Sequence, residues 1–319
     1  MYYSYAKLAG IDFGFFRFPG MGLGNLLFPW ARFIVAARKY DLVPIYPTWF
    51  QIKIGQMLRN ETDKRFYHGL FYNSGDYIDG LKKLYLLNTL KKIKETDFYE
   101  LIREKQVIRQ NAIMVFEGMD GHFNQILKDH GLILSELLKM TREQHKKGFT
   151  ELRRQTIGVH VRRGDFSKPQ SRDVLETGGV NYRIPLSWYA CQIEQIRRVV
   201  GSHVLVNIFS DGTDEELSEL LALRHVKKTS FGSSIADLLA LSRSGVLVAS
   251  GSTFSMWASY LGRMPVVWHK GQLKQKLYYE NEGVEIECDD HSKLPLSFLD
   301  ILSTRFSNAC KSQPSLSCS

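Results

Sequence analysis

The second half of the chain alternates short apolar runs with amphipathic runs, and this alternation constrains its fold more than any other feature. The apolar runs predict four strands, at 156–161, 203–210, 245–250 and 264–269. The amphipathic runs predict helices between them, at 185–200, 213–224, 234–244 and 252–262. Strands and helices that alternate in this way form parallel sheets, which helices cover on both faces.

The first half repeats this pattern less regularly. It predicts strands at 11–18, 42–47 and 112–119, and helices at 26–40, 81–95 and 135–149. Pro29 limits where the first of these helices can begin, because proline lacks a backbone N–H. Together the halves predict an α/β fold of two Rossmann-like domains that face each other across a cleft and meet near residue 150.

The net charge of the chain favours anionic partners but does not distinguish among the classes of anionic partner. The 319 residues carry a formal charge of +9, which suits a polyanion, an anionic membrane surface or a phosphorylated substrate. The four cysteines form no C-x-x-C pair, so free thiols in a reducing compartment are expected. The N-terminus does not resemble a signal peptide. We expect a cytoplasmic protein, with peripheral contact at the inner face of a membrane left open.

Two adjacent arginines follow the strand predicted at 156–161, in the segment "IGVHVRRGDF". Arg162 and Arg163 repel each other and need anions, and guanidinium groups suit phosphate oxygens. They lie beyond the carboxyl end of a strand, where open α/β sheets bind ligands. Two interpretations stay open. The arginines bind an anionic ligand, or they form a buried ion-pair network with Asp165 and nearby acids.

A second anion-suited site follows another strand, where Ser252 and Thr253 open a helix. Free N–H groups at a helix N-terminus favour phosphate, although N-capping alone also explains Ser252. Asp237 lies on the preceding helix, where it either binds a guanine edge or is solvated. Asp211 follows a strand in "FSDG" and either caps the next helix or contacts ligand.

Two further segments have alternative readings. The glycine-rich turn "PGMGLGN" at 19–25 allows close ligand approach, or only a tight turn with positive φ. The lysine-rich face of 81–95 is a solvated surface, or it meets a membrane. The nine histidines show no metal-binding spacing, so no metal site is predicted.

These motifs together resemble the α-1,2-fucosyltransferases of glycosyltransferase family 11. "HVRRGD" matches the H-x-R-R-x-D signature of that family, and 234–261 resembles its distal motif, in which an aspartate precedes a strand ending in S-N-S-[ST]-F-S-W-W. "GMGLGNLLFPWARFIVAARKY" resembles its G-G-L-G-N-Q-[ML]-F-Q-Y-A opening. Gly251, Met256 and Leu26 depart from these motifs.

The resemblance implies a GT-B-like fold, with an acceptor-side domain at 1–150, a GDP-sugar-binding domain at 151–300 and a tail at 301–319. It implies inverting transfer of L-fucose from GDP-fucose to a glycan hydroxyl, with an α-1,2 linkage and a role in polysaccharide biosynthesis. The implied partners are GDP-fucose and a glycan acceptor. No nucleic acid, metal or other cofactor is expected.

The resemblance also implies residue roles. Arg162 or Arg163 would stabilise the charge that grows on the leaving diphosphate, and Asp165 would orient the arginines or cap the next element. One such donor contributes about 2.7–4 kcal/mol. The residues implied to bind GDP-fucose are His160, Arg162, Asp237, Ser252, Thr253 and Phe254. Those implied for the fucose or acceptor side are Gly24 and Asn25. The general base stays open among Asp12, Glu117 and Asp165.

Two other functions stay open. Because Gly251 and Met256 depart from the motifs, the chain could bind a GDP-sugar or a glycan without catalysing transfer. The charge of +9 alone is also compatible with a polyanion-binding protein, whose affinity would fall steeply with salt.

Overall fold

The computed structural model describes residues 1–52, 66–105, 111–152, 154–277, 283–290 and 292–311. The chain divides into two compact units. The first comprises Met1–His145 with Ser233–Ile235, and the second comprises Lys146–Gly232 with Ala236–Ser319. Each unit is built on a parallel sheet, which confirms the predicted α/β class.

The first unit contains a four-stranded sheet, a hairpin and four helices of eight or more residues among its described residues. The sheet strands are β1 (Tyr2–Ala6), β4 (Val43–Ile45), β5 (Lys91–Lys94) and β6 (Ala112–Phe116), and the hairpin strands are β2 (Ile11–Asp12) and β3 (Arg17–Phe18). The helices are α1 (Leu23–Lys39), α2 (Gly80–Thr89), α3 (Glu95–Arg103) and α4 (His130–Met140). All sheet pairs are parallel, in the order β4-β1-β6-β5.

Helices cover both faces of this sheet. The side chains of β1 point alternately to the two faces, so each face has apolar groups to bury against a helix. Tyr3 and Tyr5 pack with Leu86 of α2 and with Ile113 of β6. Helix α1 contacts β1, β4 and β6, and it is buried along most of its length. Its interior includes Pro29, so the helix begins six residues before the proline that was expected to limit it.

Two predictions in this unit are wrong, one of a strand and one of a helix. The segment 11–18 is not one strand but a hairpin, because Gly14 at φ +89° turns the chain and donates its N–H to the Asp12 carboxylate at 2.8 Å. The sheet strand is β1, which precedes it. The helix predicted over 81–95 ends at Thr89, and "KKIK" forms the edge strand β5 with Ile93 buried.

The second unit alternates strands and helices along its length. Its strands are β7 (Ile157–Val161), β8 (Val206–Ser210), β9 (Val226–Lys228), β10 (Val246–Ala249), β11 (Val266–His269) and β12 (Glu285–Cys288). Its helices in the described residues are α5 (Lys147–Glu151), α6 (Arg172–Glu176), α7 (Leu186–Val200), α8 (Ser218–Leu221), α9 (Ser234–Leu241), α10 (Thr253–Gly262) and α11 (Leu296–Lys311).

These six strands form one parallel sheet in the order β9-β8-β7-β10-β11-β12. Counted along the chain, that order is 3-2-1-4-5-6, and the winding direction reverses between β7 and β10. Ile157, Val159 and Val161 of β7 pack into a core with α7 and α11. His160 points to the opposite face of the sheet, toward the start of α10.

The predicted strands β7, β8, β10 and β11 are confirmed, but β9, β12 and α11 were not predicted. Helix α8 is shorter than the predicted 213–224, although Thr213 and Glu216 form the reciprocal bonds of the expected capping box. The predicted tail at 301–319 is wrong for 301–311, because Leu302 and Phe306 of α11 are buried in the core. Residues 312–319 lie outside the described residues.

The structure also describes two of the cysteines and the apolar helices. Cys191 and Cys288 are free thiols, and the side chains of Cys310 and Cys318 lie outside the described residues. Within the described ranges, no helix combines the length and apolar character that crossing a membrane requires.

Candidate functional site

Three neighbouring strands of the second sheet end in polar residues at one edge. Strand β7 ends before Arg162, β8 before Asp211 and β10 before Ser250. Because β7 lies between β8 and β10 and all three are parallel, their carboxyl ends meet. The reversal of winding between β7 and β10 also falls here, which is where open α/β sheets bind ligands.

His160 is the centre of a hydroxyl cluster at this edge. Its Nδ1 lies 2.8 Å from the Ser255 Oγ, 3.0 Å from the Ser250 Oγ and 3.4 Å from the Ser252 Oγ. The ring is 4% exposed and stacks against Phe254 at 4.7 Å between centroids. Burial, with a smaller contribution from the Arg162 charge, holds the pKa of His160 well below 6.5. The imidazole is therefore neutral, and the serines fix its orientation.

The same serines shape the N-terminus of α10. Ser252 is the N-cap, and its Oγ accepts the N–H of Ser255 at 3.4 Å. Ser250 connects the strand to the helix, because its N–H donates to the Ser255 Oγ at 3.1 Å and its Oγ lies 2.9 Å from the Ser252 Oγ. The N-capping alternative for Ser252 is thus correct, and Thr253 and Phe254 form the first turn beside His160.

Arg162 is held by two carboxylates. Its Nη2 donates to Asp165, and its Nη1 lies 2.9 Å from the Asp211 Oδ2. The guanidinium also stacks over the Phe166 ring at 4.9 Å. The side chain is 17% exposed, and a guanidinium has five N–H donors, so donors remain beyond the two ion pairs. Arg162 therefore makes ion pairs with Asp165 and Asp211 and keeps further N–H donors.

Arg163 occupies a different environment. Its backbone N–H donates to the Asp211 carboxylate at 2.8 Å, but its side chain makes no ion pair with any described residue. Burial is the main cause that lowers the pKa of Arg163. Its side chain lies against Gly212, where an added Cβ would be 2.8 Å from the Arg163 Cγ. The charge of Arg162 thus acts on His160, whereas the Arg163 side chain lies beside the segment that follows β8.

Gln272 fills the space beside Gly251, where the family motif has asparagine. A Cβ on Gly251 would lie 1.9 Å from the Gln272 Oε1. The Gln272 Nε2 donates to the carbonyls of Leu175 and Gly179, at 2.9 and 3.1 Å. The departure at position 251 therefore has a physical reason, because a larger residue would displace a buried, bonded glutamine.

Asp237 orders the loop before α9. Its carboxylate accepts the Phe231 N–H at 2.5 Å and the Ser230 hydroxyl at 3.1 Å. This arrangement differs from that of a solvated helix residue.

The first unit places Gly24 and Asn25 in the first turn of α1. The glycine-rich turn before them is held by Gln51, whose Nε2 donates to the Met21 carbonyl at 3.0 Å. Arg17 in turn donates to the Gln51 Oε1 at 2.9 Å from a fully buried position.

A buried polar cluster that the sequence did not single out lies beyond β1. The Tyr5 hydroxyl donates to Asp12 and lies 3.0 Å from the Thr48 Oγ1, which also accepts from the Lys83 Nζ at 2.9 Å. Burial lowers the pKa of Lys83 to about 8. Of the three base candidates, Asp12 belongs to this cluster, Asp165 pairs with Arg162, and the exposed Glu117 pairs with Lys7 at 2.9 Å.

The sequence did not single out Ser255 or predict the pairing of Asp211 with Arg162. The segment "SGSTFS" could have indicated Ser255. This serine lies three residues after the N-cap Ser252, and its hydroxyl accepts the N–H of Ser250 at the end of the strand. In the described part of the chain, no three His, Cys, Asp or Glu side chains form a group that could hold a metal ion.

Comparison with known proteins gives one family match. The model of glycosyl transferase family 11 matches residues 116–268, which is less than half of the chain. This range contains the β7 motif, α9, β10 and α10. No curated protein matches the sequence significantly.

Solved structures give weak similarity. One is a variant of Arabidopsis thaliana FUT1 in complex with GDP, with TM-score 0.45 and 14% identity, covering 83% of this chain and 70% of that chain. Another is POFUT1 in complex with GDP, with TM-score 0.42, 12% identity and coverage of 84% and 97%. A third is NodZ α-1,6-fucosyltransferase, known from Bradyrhizobium, with TM-score 0.43, 11% identity and coverage of 84% and 95%. These scores are too low to establish a common fold.

Proposed function

We propose that the chain is an inverting fucosyltransferase, which moves L-fucose from GDP-fucose to a hydroxyl of a glycan acceptor and forms an α-1,2 linkage. One observation carries the proposal. His160, two residues before Arg162, contacts Ser250 and Ser255 at the start of α10, where the sheet reverses its winding and inside the range that the family 11 model matches.

The donor diphosphate is proposed to bind between Arg162 and the start of α10. The N–H groups of a helix N-terminus and its hydroxyls favour an anion, and a neutral His160 keeps its fixed hydrogen bonds to Ser250 and Ser255. A rigid set of donors needs little reorganisation when charge develops, which is how such sites stabilise a transition state.

In the transfer step, the acceptor oxygen bonds to the anomeric carbon of fucose while the bond from that carbon to the β-phosphate oxygen breaks. The proton of the acceptor hydroxyl passes to a general base or to water. Negative charge then grows on the diphosphate. Arg162 is the arginine assigned to that charge, because its own charge acts on His160, while the Arg163 side chain lies against Gly212 after β8.

Two carboxylates on one guanidinium leave a net charge of −1, so the diphosphate must compete with one of them. We assign that exchange to Asp165, which is 41% exposed, because an exposed ion pair contributes at most about 1 kcal/mol. Asp211 is less exposed and also accepts the Arg163 N–H, so it stays as the anchor of Arg162.

Turnover of labelled GDP-fucose over a panel of glycan acceptors tests the proposal. Arg162→Ala should lower kcat by about 10²–10³-fold, the loss expected for one donor to a developing anion. Arg163→Ala should lower stability more than kcat, and exposed Arg198→Ala on α7 is the matched control. Near-normal turnover in Arg162→Ala would refute the assigned role.

A second candidate function is binding of a GDP-sugar without transfer. The engagement of Arg162 by two carboxylates favours it, because that arrangement holds the guanidinium away from a ligand until one carboxylate leaves. It predicts GDP binding with no release of GDP from GDP-fucose on any acceptor.

A further inference from the structure

Exposed apolar side chains lie on the hairpin, on the turn that follows it and on α2 of the first unit. We call this region the apolar surface, and its members are Ile11, Phe13, Phe15, Phe18, Met21, Leu81 and Tyr85. Leu81 is 85% exposed, Tyr85 66% and Phe15 64%. Contiguous exposed apolar side chains of this number mark interaction sites rather than ordinary surface.

Contact between the hairpin and α2 makes this surface continuous. A Cβ on Gly14, at the tip of the hairpin, would lie 2.2 Å from a methyl of Leu84, so the hairpin rests directly on the helix there. Within α2, Leu84 lies about one turn after Leu81 and directly before Tyr85. Leu81 and Tyr85 share one face because they are four residues apart.

Lysines border this surface, and acids are scarce. Residues 80–94 contain five lysines and no aspartate or glutamate. Lys82 is exposed on α2. Lys92 and Lys94 pair in register with Ile113 and Val115 of β6, so they lie on the sheet face that α2 covers. We call Lys82, Lys92 and Lys94 the lysine border.

The two nearby carboxylates are engaged locally. Asp12 accepts the Tyr5 hydroxyl and the Gly14 N–H, and Asp79 accepts the Gly80 N–H at 2.8 Å as the N-cap of α2. Both carboxylates keep their negative charge, and the three lysines of the lysine border outnumber them.

We propose that the apolar surface and the lysine border dock the protein on an anionic lipid membrane. Exposed Phe, Leu, Ile and Tyr side chains enter the headgroup region of a bilayer, and lysines beside them attract anionic headgroups. A glycan would need a concave site with convergent polar groups. Side chains that project from a hairpin and a helix fit a bilayer better. This inference does not depend on the proposed function.

Sedimentation of the full chain with lipid vesicles tests the proposal. Vesicles of phosphatidylcholine with about one third phosphatidylglycerol should bind the protein, whereas pure phosphatidylcholine should bind it much more weakly. Each lysine near the surface contributes about fivefold in affinity, so the triple variant Lys82→Gln, Lys92→Gln, Lys94→Gln should bind about 100-fold more weakly. Phe13→Ser with Phe15→Ser should weaken binding roughly tenfold or more.

Matched variants separate the surface from overall charge and folding. Lys128→Gln, Lys147→Gln, Lys227→Gln makes the same charge change at other exposed lysines, and Val180→Ser with Leu296→Ser removes exposed apolar groups elsewhere. Both controls should bind like the wild type, and all variants should keep its unfolding midpoint. Equal losses in control and border variants, or no binding to anionic vesicles, would overturn the proposal. So would phenylalanine variants that raise the KM for acceptor without changing vesicle binding.

Discussion

The neutral, buried His160 should make stability depend on pH in a defined window. The folded state disfavours the proton because burial holds the pKa of His160 well below 6.5. In the unfolded chain, histidine titrates near 6.5. Below that pH the unfolded state therefore binds more protons than the folded state, and stability falls as the pH falls.

The size of this effect follows from the linkage relation. The loss should be about 1 kcal/mol from pH 6.5 to about pH 5.5, and about 1.4 kcal/mol for each further unit, until the folded pKa is reached. His160→Asn removes the titration while keeping a group that can bond to Ser250 and Ser255. Between pH 6.5 and about pH 5.5, the free energy of unfolding of His160→Asn should fall by about 1 kcal/mol less than that of the wild type. For each further pH unit the difference should grow by about 1.4 kcal/mol.

Urea unfolding of the wild type and of His160→Asn at matched pH values measures the difference, because the other titrating groups are common to both proteins. Parallel curves for wild type and His160→Asn would show that the imidazole takes a proton as readily in the fold as outside it. The description of the serine-bound, neutral ring would then be wrong.

Three further predictions concern stability. Burial lowers the pKa of Lys83 to about 8, so above about pH 8 the folded lysine loses a proton that the unfolded lysine keeps. The wild type should therefore gain about 2 kcal/mol relative to Lys83→Met between about pH 7 and about pH 9.5, measured by urea unfolding. Gly251→Asn should cost about 1–3 kcal/mol by displacing Gln272 from its two carbonyl partners, and a double-mutant cycle with Gln272→Ala should recover most of that loss. Leu302→Ala in α11 should cost about 2–5 kcal/mol in thermal or urea unfolding, whereas exposed Leu296→Ala should stay within about 0.5 kcal/mol.

The second unit was largely predictable because its inner strands are buried on both faces. Runs such as "TIGVHV" and "GVLVAS" are almost wholly apolar, which is the signature of central parallel strands. Their order along the chain then placed His160, Arg162 and Ser252 at one edge, and the structure brings His160 and Ser252 into contact.

Edge strands and the first unit were less predictable for a physical reason. Strands β5 and β9 are short and lysine-rich, as edge strands often are, so their sequences do not separate them from helix or loop. Strand β1 is polar at Ser4 and rich in tyrosine. The "KKIK" segment pairs as a strand because Ile93 reaches the core beside Met114, a contact that no local pattern reveals.

The ion pairs of the site could not be predicted from residue types. Whether Arg162 or Arg163 meets Asp211 depends on how β7 and β8 align, and the register pairs Val161 with Ser210. That register places Asp211 beside the first residues after β7, where it engages the Arg162 side chain and the Arg163 N–H.

Calorimetric titration of the full chain with GDP tests the central claim most directly, namely that the edge formed by β7 and β10 holds a nucleoside diphosphate. The wild type should bind GDP with ADP much weaker, and Arg162→Ala should bind GDP about 10- to 100-fold more weakly, as expected for the loss of a charged hydrogen bond. Absence of GDP binding, or equal affinity in wild type and Arg162→Ala, would contradict it.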